Sequence, residues 1–185
     1  MKKAVKTIGR LVTGIIIAVV LFGFLFWFAF GGGTLFLPGP ARPEITYGEF
    51  PFQLVYESGG KEIQVEDTLI CEFDGFAANA ARGKYRKWKS YLKSGNERIT
   101  LFKSDDIEIF FTPGINDGSI AAVYMGDTEI YHNDINSTFP DAYHTKDFDD
   151  KGENAYIISA DEMWDKYKIR LISWNPSHPI ENHFK

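Results

Sequence analysis

A run of basic and aromatic side chains near the middle of the chain is its most distinctive candidate for a binding surface. Cationic side chains attract anionic polymers and aromatic rings stack on them, so a segment that interleaves the two is typical of such a surface. Residues 82–93 contain no acidic side chain. The candidate binding residues are Arg82, Lys84, Tyr85, Arg86, Lys87, Trp88, Lys89, Tyr91 and Lys93.

The same segment has a purely structural interpretation. Lysines on an edge strand prevent one sheet from adding to another, while aromatic side chains on the opposite face pack into the core. The spacing of Tyr85, Trp88 and Leu92 also fits one face of a helix. The sequence leaves these alternatives open.

Two neighbouring carboxylates point to a second kind of chemistry. Glu72 and Asp74 share one face of a predicted strand, and glycosidases use a pair of carboxyl groups as acid and base. Alternating carboxylates are also the ordinary pattern of a solvated strand face. We favour the solvated face and keep a hydrolase with a carboxylate site as the alternative function.

Other residues form no catalytic or metal-binding pattern. Cys71 is the only cysteine, and its place between Leu69 and Phe73 predicts a small, inward-facing core residue rather than a nucleophile. We predict no metal and no cofactor, and the sequence identifies no catalytic residue. The histidines are too scattered for a metal site and are expected at the surface; they are His132, His144, His178 and His183.

An acidic stretch in the C-terminal part is similar to half of a calcium loop. Three aspartates within 147–150 precede Gly152, and hard cations need several oxygen ligands around such a bend. Lys151 and Ile158 stand where the loop would need oxygen donors. We therefore expect a solvated acidic loop.

An apolar segment near the N-terminus determines where the remaining chain is placed. Leu11 to Phe30 carry no ionisable group in twenty residues, and a helix of that length covers about 30 Å, the thickness of a bilayer's hydrocarbon core. We expect a transmembrane helix whose partner is the lipid bilayer. A cleaved signal peptide is the alternative, although the apolar run is longer than an ordinary signal sequence. A buried core helix fits the length and flanking charges poorly.

The charges that flank the apolar segment predict its orientation. Four basic residues precede it, whereas Arg42 is the only basic residue in the twenty positions that follow. The positive-inside rule then places the N-terminus in the cytoplasm and the C-terminal part outside it, in a single-pass protein of the cell membrane. Cys71 lies too far along the chain to be the acylated cysteine of a lipoprotein.

The composition limits the classes of partner. After the apolar segment, 16 Lys and Arg face 25 Asp and Glu, which is a net charge of −9. An acidic surface argues against nucleic acid as the partner. With a single cysteine, no intramolecular disulfide can form, so a hydrophobic core must hold the folded part together.

The remaining pattern predicts a mainly β (α+β) domain, an antiparallel meander or sandwich with one or two short helices. The predicted divisions are a cytoplasmic basic tail at 1–10, a transmembrane helix at 11–30, a Gly/Pro linker at 31–48 and an extracytoplasmic β-rich domain at 49–180. A hairpin is predicted around Ser58-Gly59-Gly60, and a helix is predicted from the capping-box pattern at Ser159 through Tyr167. Further strands are predicted at 69–74, 85–92, 99–102, 107–111 and 169–174, with short segments at 120–125 and 129–131 and a long loop at 132–154.

Several segments carry a resemblance to known proteins. A short basic N-terminus, one apolar span and the segments FPFQLVYE, VEDTLICEFDGF, KYRKWKSYLKSG and IRLISW resemble small single-pass membrane-anchored proteins of Gram-positive bacteria, which are uncharacterised. The resemblance covers residues 1–180 and implies a localisation rather than an activity. The predicted function is a membrane-anchored binding or interaction protein of the cell envelope, whose partner is a protein or an anionic envelope polymer. The alternatives are an envelope hydrolase and a regulatory subunit of a larger membrane complex.

Overall fold

Three helices and eight strands follow one another along the chain in a computed structural model that describes residues 2–29, 38–79, 83–127, 142–146 and 155–185. The predicted strand at 129–131 and the three aspartates at 147–150 lie outside these residues. In chain order the elements are α1 (Lys2–Ala29), β1 (Tyr47–Ser58), β2 (Lys61–Asn79), β3 (Gly83–Leu92), β4 (Ile99–Lys103), β5 (Ile107–Phe111), α2 (Gly118–Tyr124), β6 (Ala142–Lys146), β7 (Ala155–Ile158), α3 (Ala160–Tyr167) and β8 (Ile169–Pro176).

The strands form two four-stranded sheets. The first has the order β3-β2-β1-β8, and the second has the order β4-β5-β6-β7, which is a simple meander. Antiparallel pairing joins β1 to β2 and β8, and it joins each successive pair of the second sheet. The predicted mainly β, antiparallel fold with short helices is therefore confirmed.

The hairpin that opens the first sheet follows directly from its sequence. Inward positions such as Leu54 and Leu69 are buried, and polar Gln53 and Thr68 on the other face are half-buried. Gly59 and Gly60 connect β1 to β2 with φ values of 57° and 76°. A two-residue turn of this kind needs positive φ at both central positions, which glycine adopts without strain.

One hydrophobic core is built from side chains of both sheets. Phe52 and Leu54 of the first sheet and Ile109 and Phe111 of the second belong to the same buried cluster. The ring of Phe111 contacts the edge of Trp174, with ring centroids 5.1 Å apart. Such contacts hold the sheets together in the absence of an intramolecular disulfide.

The segment predicted to be strand-like at 120–125 is instead mostly helical. Asp117 caps the N-terminus of α2, because its carboxylate accepts hydrogen bonds from the backbone N–H groups of Ser119 and Ile120 at 2.8 and 3.3 Å. Ala121 and Ala122 are buried in the core. A short run of apolar residues fits a buried strand or a buried helix equally well, and here the capping aspartate and the small residues decide for the helix.

The predicted long loop at 132–154 was wrong for residues 142–146. These residues form β6, which lies inside the second sheet between β5 and β7. Ala142 and Thr145 are buried. A five-residue strand between aspartate-rich flanks carries too few aliphatic residues to stand out in the sequence.

The chain divides into two units. The first contains residues up to Ala41 together with Phe76–Arg86, and the second contains Arg42–Gly75 and Lys87–Lys185. The first unit holds α1, which has a length of about 42 Å at 1.5 Å per residue. The second unit holds the core described above. Within the described residues, no helix combines the length and the hydropathy that crossing a membrane requires.

Candidate functional site

The basic and aromatic segment lies mostly in β3, which settles the alternative of a helix in favour of a strand. From Arg86 to Leu92 the side chains alternate strictly between buried and exposed positions. Lys84 is exposed, Tyr85 is half-buried, and Arg82 lies outside the described residues. The alternation divides the predicted binding residues into an inward group and an outward group.

The inward residues are committed to structure. Trp88 is 4% exposed, and its Nε1 donates a hydrogen bond of 2.9 Å to Oδ2 of Asp127, which is itself buried. Its ring meets the edge of Phe73 with centroids 5.4 Å apart. Arg86 is buried as well and donates to the backbone oxygen of Ala41 at 3.2 Å. Neither side chain is available to a ligand on the outer face of the sheet.

The outward lysines of β3 and of the turn after it pair with carboxylates of neighbouring strands. The N–O distances are 2.7 Å for Lys87 with Asp74, 2.9 Å for Lys89 with Glu72, and 2.7 Å for Lys93 with Glu49. We call this set the polar ladder, together with the tyrosines that donate to it; its members are Tyr47, Glu49, Glu72, Asp74, Lys87, Lys89, Tyr91 and Lys93.

The two tyrosines complete the ladder through their hydroxyl groups. Tyr47 donates to Oε1 of Glu49 at 2.7 Å, and Tyr91 donates to Oε1 of Glu72 at 2.8 Å. The hydrogen bond to Glu49 raises the pKa of Tyr47 to about 12, and the hydrogen bond to Glu72 raises the pKa of Tyr91. Both phenols therefore stay protonated at neutral pH and act as donors.

The carboxylates of the ladder are held in their charged form. Hydrogen bonds from Lys93 and Tyr47 lower the pKa of Glu49, and those from Lys89 and Tyr91 lower the pKa of Glu72. The hydrogen bond from Lys87 does the same for Asp74. Three lysines and three carboxylates cancel in charge, so the ladder as a whole is neutral at pH 7. The sequence showed the lysines as an uninterrupted basic run because their partners lie on other strands.

This geometry bears on the carboxylate pair considered for a hydrolase. A general acid must hold a proton near the working pH, which requires a raised pKa. Glu72 and Asp74 have lowered pKa values instead, and each is occupied by a lysine partner. The arrangement favours charge pairing over acid–base catalysis.

Cys71 lies on the opposite face of β2 and is fully buried. Burial raises the pKa of its thiol to about 12, so the thiolate that a nucleophile needs is scarcely populated. The predicted core role is confirmed. In the described part of the chain, no group of three His, Cys, Asp or Glu side chains is arranged to hold a metal ion. His178 and His183 are exposed as predicted, and His132 lies outside the described residues. The prediction was wrong for His144, which is half-buried on β6 with its Nδ1 atom buried.

A charged cluster around the buried Glu108 of the second sheet escaped the sequence analysis. Glu108 is 2% exposed and is the second residue of β5, where every position is buried. Its carboxylate accepts a hydrogen bond of 2.7 Å from Thr100 and lies 3.1 Å from Nη2 of Arg98 and 3.5 Å from Nζ of Lys103. Burial alone would raise its pKa, but the Thr100 hydrogen bond and the two cations together lower it. The sequence signal that could have revealed this cluster is the single acidic residue in the otherwise apolar strand IEIFF.

An open groove lies on the first sheet, beside the middle of β1 and the C-terminal end of β8. Its volume is about 570 Å³, and the groove is mainly polar; it is lined by Pro51, Phe52, Gln53, Glu66, Asp67, Thr68, Asn175, Pro176 and Ser177. Several of these groups bond to one another, as in the 3.0 Å hydrogen bond from Gln53 Nε2 to Glu66. The lining contains no basic side chain, so the groove does not add to the predicted anion-binding surface.

Comparisons with protein families, curated proteins and solved structures give no match to this chain. The resemblance to small membrane-anchored proteins of Gram-positive bacteria therefore stays a prediction.

Proposed function

We propose that this chain is a membrane-anchored interaction protein, with α1 and the adjoining apolar residues in the bilayer and the β-rich part outside the cytoplasm. The observation that carries the proposal is the exposure of apolar side chains on every side of α1 between Val12 and Trp27. Ile15, Ile16 and Ile17 are 55%, 58% and 53% exposed and point in directions about 100° apart, because a helix turns by that angle at each residue. A helix that is apolar on every side needs an apolar environment on every side.

Further exposed apolar residues support the same environment. Phe22 is 70% exposed and Leu25 is 63% exposed, and both lie in the uncharged run from Leu11 to Phe30. Water is a poor solvent for so much contiguous apolar surface, whereas the hydrocarbon core of a bilayer accommodates it. The basic residues before the run and the acidic excess after it support a cytoplasmic N-terminus.

The polar ladder favours a protein partner over an anionic polymer. The lysines that would grip a polymer are each within 2.9 Å of a carboxylate oxygen, so polymer binding must compete with three existing ion pairs. Tyr47 and Tyr91 are 47% and 41% exposed beside these pairs. Exposed tyrosines within a neutral polar surface are common in protein–protein interfaces.

The first experiment tests anchorage by membrane fractionation of the full chain. The wild type should stay in the membrane pellet after extraction with alkaline carbonate. The double variant Val20→Arg/Leu21→Arg should shift to the soluble fraction, since each arginine at the centre of a span costs about 3 kcal/mol on insertion. The matched control Val20→Leu/Leu21→Val should behave as the wild type. Recovery of the wild type in the carbonate supernatant would refute the proposal.

The second experiment tests orientation with a reporter fused after Lys185. A phosphatase that is active only outside the cytoplasm should be active in this fusion, and a fluorescent protein that matures only in the cytoplasm should be dark. The opposite pattern would place the β-rich part in the cytoplasm and remove the extracytoplasmic half of the proposal.

A further inference from the structure

The last strand of the second sheet, β7, has one edge without a neighbouring strand. β7 pairs with β6 on one side, and among the described residues no backbone hydrogen bond reaches it from the other side. Such an edge presents a row of N–H and C=O groups that pairs readily with a further strand. The side chains there are exposed as well, to 57% for Tyr156 and 61% for Ile157.

The other sheet edges in the described part of the chain carry charged side chains. β3 exposes Lys87 and Lys89, β4 ends with Lys103, and β8 contains Arg170. Charged residues and proline at an edge hinder the addition of another strand. β7, with the sequence AYII, has neither, so strand addition meets the least opposition at this edge.

An apolar row ends at the same edge, on the face of the second sheet that points away from the buried cluster. Phe110 lies opposite Tyr143, and Tyr143 lies opposite Ile157. The rings of Phe110 and Tyr143 stack with their centroids 5.9 Å apart. Phe110 is buried, Tyr143 is half-buried and Ile157 is exposed, so the row becomes more open towards β7. An apolar side chain placed beyond Ile157 would continue it.

A second copy of this chain supplies such a side chain by symmetry. Residues that lie opposite each other in an antiparallel pair point to the same face, so a twofold axis between two identical strands places one residue opposite its own counterpart. With Ile157 opposite Ile157 of the second copy, the apolar row continues from one Phe110 to the other. Tyr156 then lies opposite Ile158 of the second copy. Since β7 is uncharged, this contact brings no like charges together.

We propose that β7 pairs antiparallel with β7 of a second copy of this chain, with Ile157 at the twofold axis, and so joins two four-stranded sheets into one sheet of eight strands. Four residues on each side cover much less than the roughly 1,600 Å² of a standard protein interface. We therefore expect a weak association, with a dissociation constant in the micromolar to millimolar range. The pairing goes beyond the proposed interaction with another protein and does not depend on the membrane anchor.

Disulfide trapping in the full chain in detergent micelles tests the pairing and its register. Ile157→Cys should form a disulfide between the two copies under mild oxidation, because the Cβ atoms of opposite residues lie close to the separation that a disulfide needs. Tyr156→Cys should form little dimer, because its two copies lie diagonally, about 7–8 Å apart. Ile172→Cys, at an exposed site of β8, is the matched control and should also stay monomeric. Cys71 is fully buried and should not contribute.

A lysine variant makes the test independent of cysteine chemistry. Sedimentation of the wild type in micelles over a series of protein concentrations should show self-association. Ile157→Lys should weaken it by about tenfold or more, because each lysine would face its own counterpart across the strand pair. Ile172→Lys is the control and should sediment as the wild type does.

Three outcomes would overturn the proposal. Equal dimer yields from Ile157→Cys and Ile172→Cys, or a higher yield from Tyr156→Cys than from Ile157→Cys, would show that β7 does not pair in this register. Equal self-association of the two lysine variants would show that another surface joins the copies. A wild type that sediments as a monomer at every concentration would exclude the association itself. Neither readout uses membrane extraction, so failure of the pairing is distinct from failure of anchorage, which the fractionation reports.

Discussion

The role of Trp88 in the structure differs from the role that its sequence neighbours suggest. In the sequence it stands between lysines and is typical of a ring that stacks on a ligand. In the structure its ring is buried and its N–H is bonded to a buried carboxylate of Asp127. The face of β3 on which Trp88 lies, rather than its residue type, places its side chain in the core.

Replacing the indole donor should destabilise the fold. Trp88→Phe removes the hydrogen bond to Asp127, and a buried carboxylate that loses a donor costs about 2 kcal/mol. We expect a lower free energy of unfolding by that amount in urea titrations of the full chain in detergent. Trp164→Phe, at a site that is 40% exposed, is the control and should change the value by less than about 0.5 kcal/mol. Equal effects of the two variants would contradict the assigned role of the Trp88 indole.

The thiol of Cys71 should be unreactive in the folded protein. Burial raises its pKa to about 12, and the same burial blocks access of reagents. Iodoacetamide at pH 8 should label Cys71 slowly in the native chain and rapidly in urea, with mass spectrometry as the readout. Rapid labelling without urea would show that β2 opens or that the thiol is exposed.

At the scale of elements, β3 is an edge strand whose charges are balanced by its neighbours. Its exposed lysines are of the kind that hinder the addition of another strand to a sheet edge. They also form ion pairs across strands with Glu72 and Asp74 on β2. Such pairs on an exposed sheet face contribute modestly to stability and considerably to the charge pattern that a partner meets.

Acid should weaken the polar ladder. Folding lowers the pKa values of Glu49 and Glu72 below their ordinary 4.5 and that of Asp74 below 3.8. The resulting stabilisation is fully present above the unfolded pKa values and is lost as the pH falls through the folded values. The melting temperature should therefore be flat near neutral pH and should fall below about pH 5.

A variant comparison isolates the contribution of the ladder to this pH dependence. Glu108 also has a lowered pKa and contributes to the same acid transition. The triple variant Lys87→Ala/Lys89→Ala/Lys93→Ala should show a smaller loss of melting temperature on acidification than the wild type. Replacing the exposed Lys61 and Lys84 by Ala is the control and should preserve the wild-type slope. Identical slopes for all three proteins would mean that the ladder pairs do not stabilise the fold.

At the scale of the whole molecule, the chain combines a 28-residue helix with a β-rich core that is complete without it. All buried members of the core cluster belong to the unit formed by Arg42–Gly75 and Lys87–Lys185. The apolar residues of α1 such as Val19 and Phe22 are exposed instead. The proposed placement of the helix in lipid and of the sheets in water would account for this distribution.

Orientation should respond to the N-terminal charges. Replacing Lys2, Lys3, Lys6 and Arg10 by Gln removes the charge asymmetry that, in the proposed topology, holds the N-terminus in the cytoplasm. The activity of the phosphatase fused after Lys185 should fall as part of the population inverts. Lys2→Arg/Lys3→Arg/Lys6→Arg keeps the charge and should keep the activity. Unchanged activity after neutralisation would show that other parts of the chain set the orientation.

Local sequence determined those parts of the protein whose cause is local. Alternating apolar residues and the Gly59-Gly60 turn specify the first hairpin, and Ser159 specifies the start of α3 by accepting from the N–H of Glu162. The uncharged run after Arg10 lies in α1; in the proposed lipid environment a helix is required, because the backbone there has no polar partner but itself. These features need only neighbours within a few residues.

The tertiary structure alone decided the features that depend on distant partners. The basic run became a neutral ladder because Glu49 and Glu72 approach it from other strands, and Asn182 reaches Ile45 across 137 positions of sequence. β6 belongs to the second sheet because β5 and β7 lie on either side of it and pair with its backbone N–H and C=O groups. Long-range pairing of charges and strands has no local signature, since the energy of each pair arises only when folding brings its two members together.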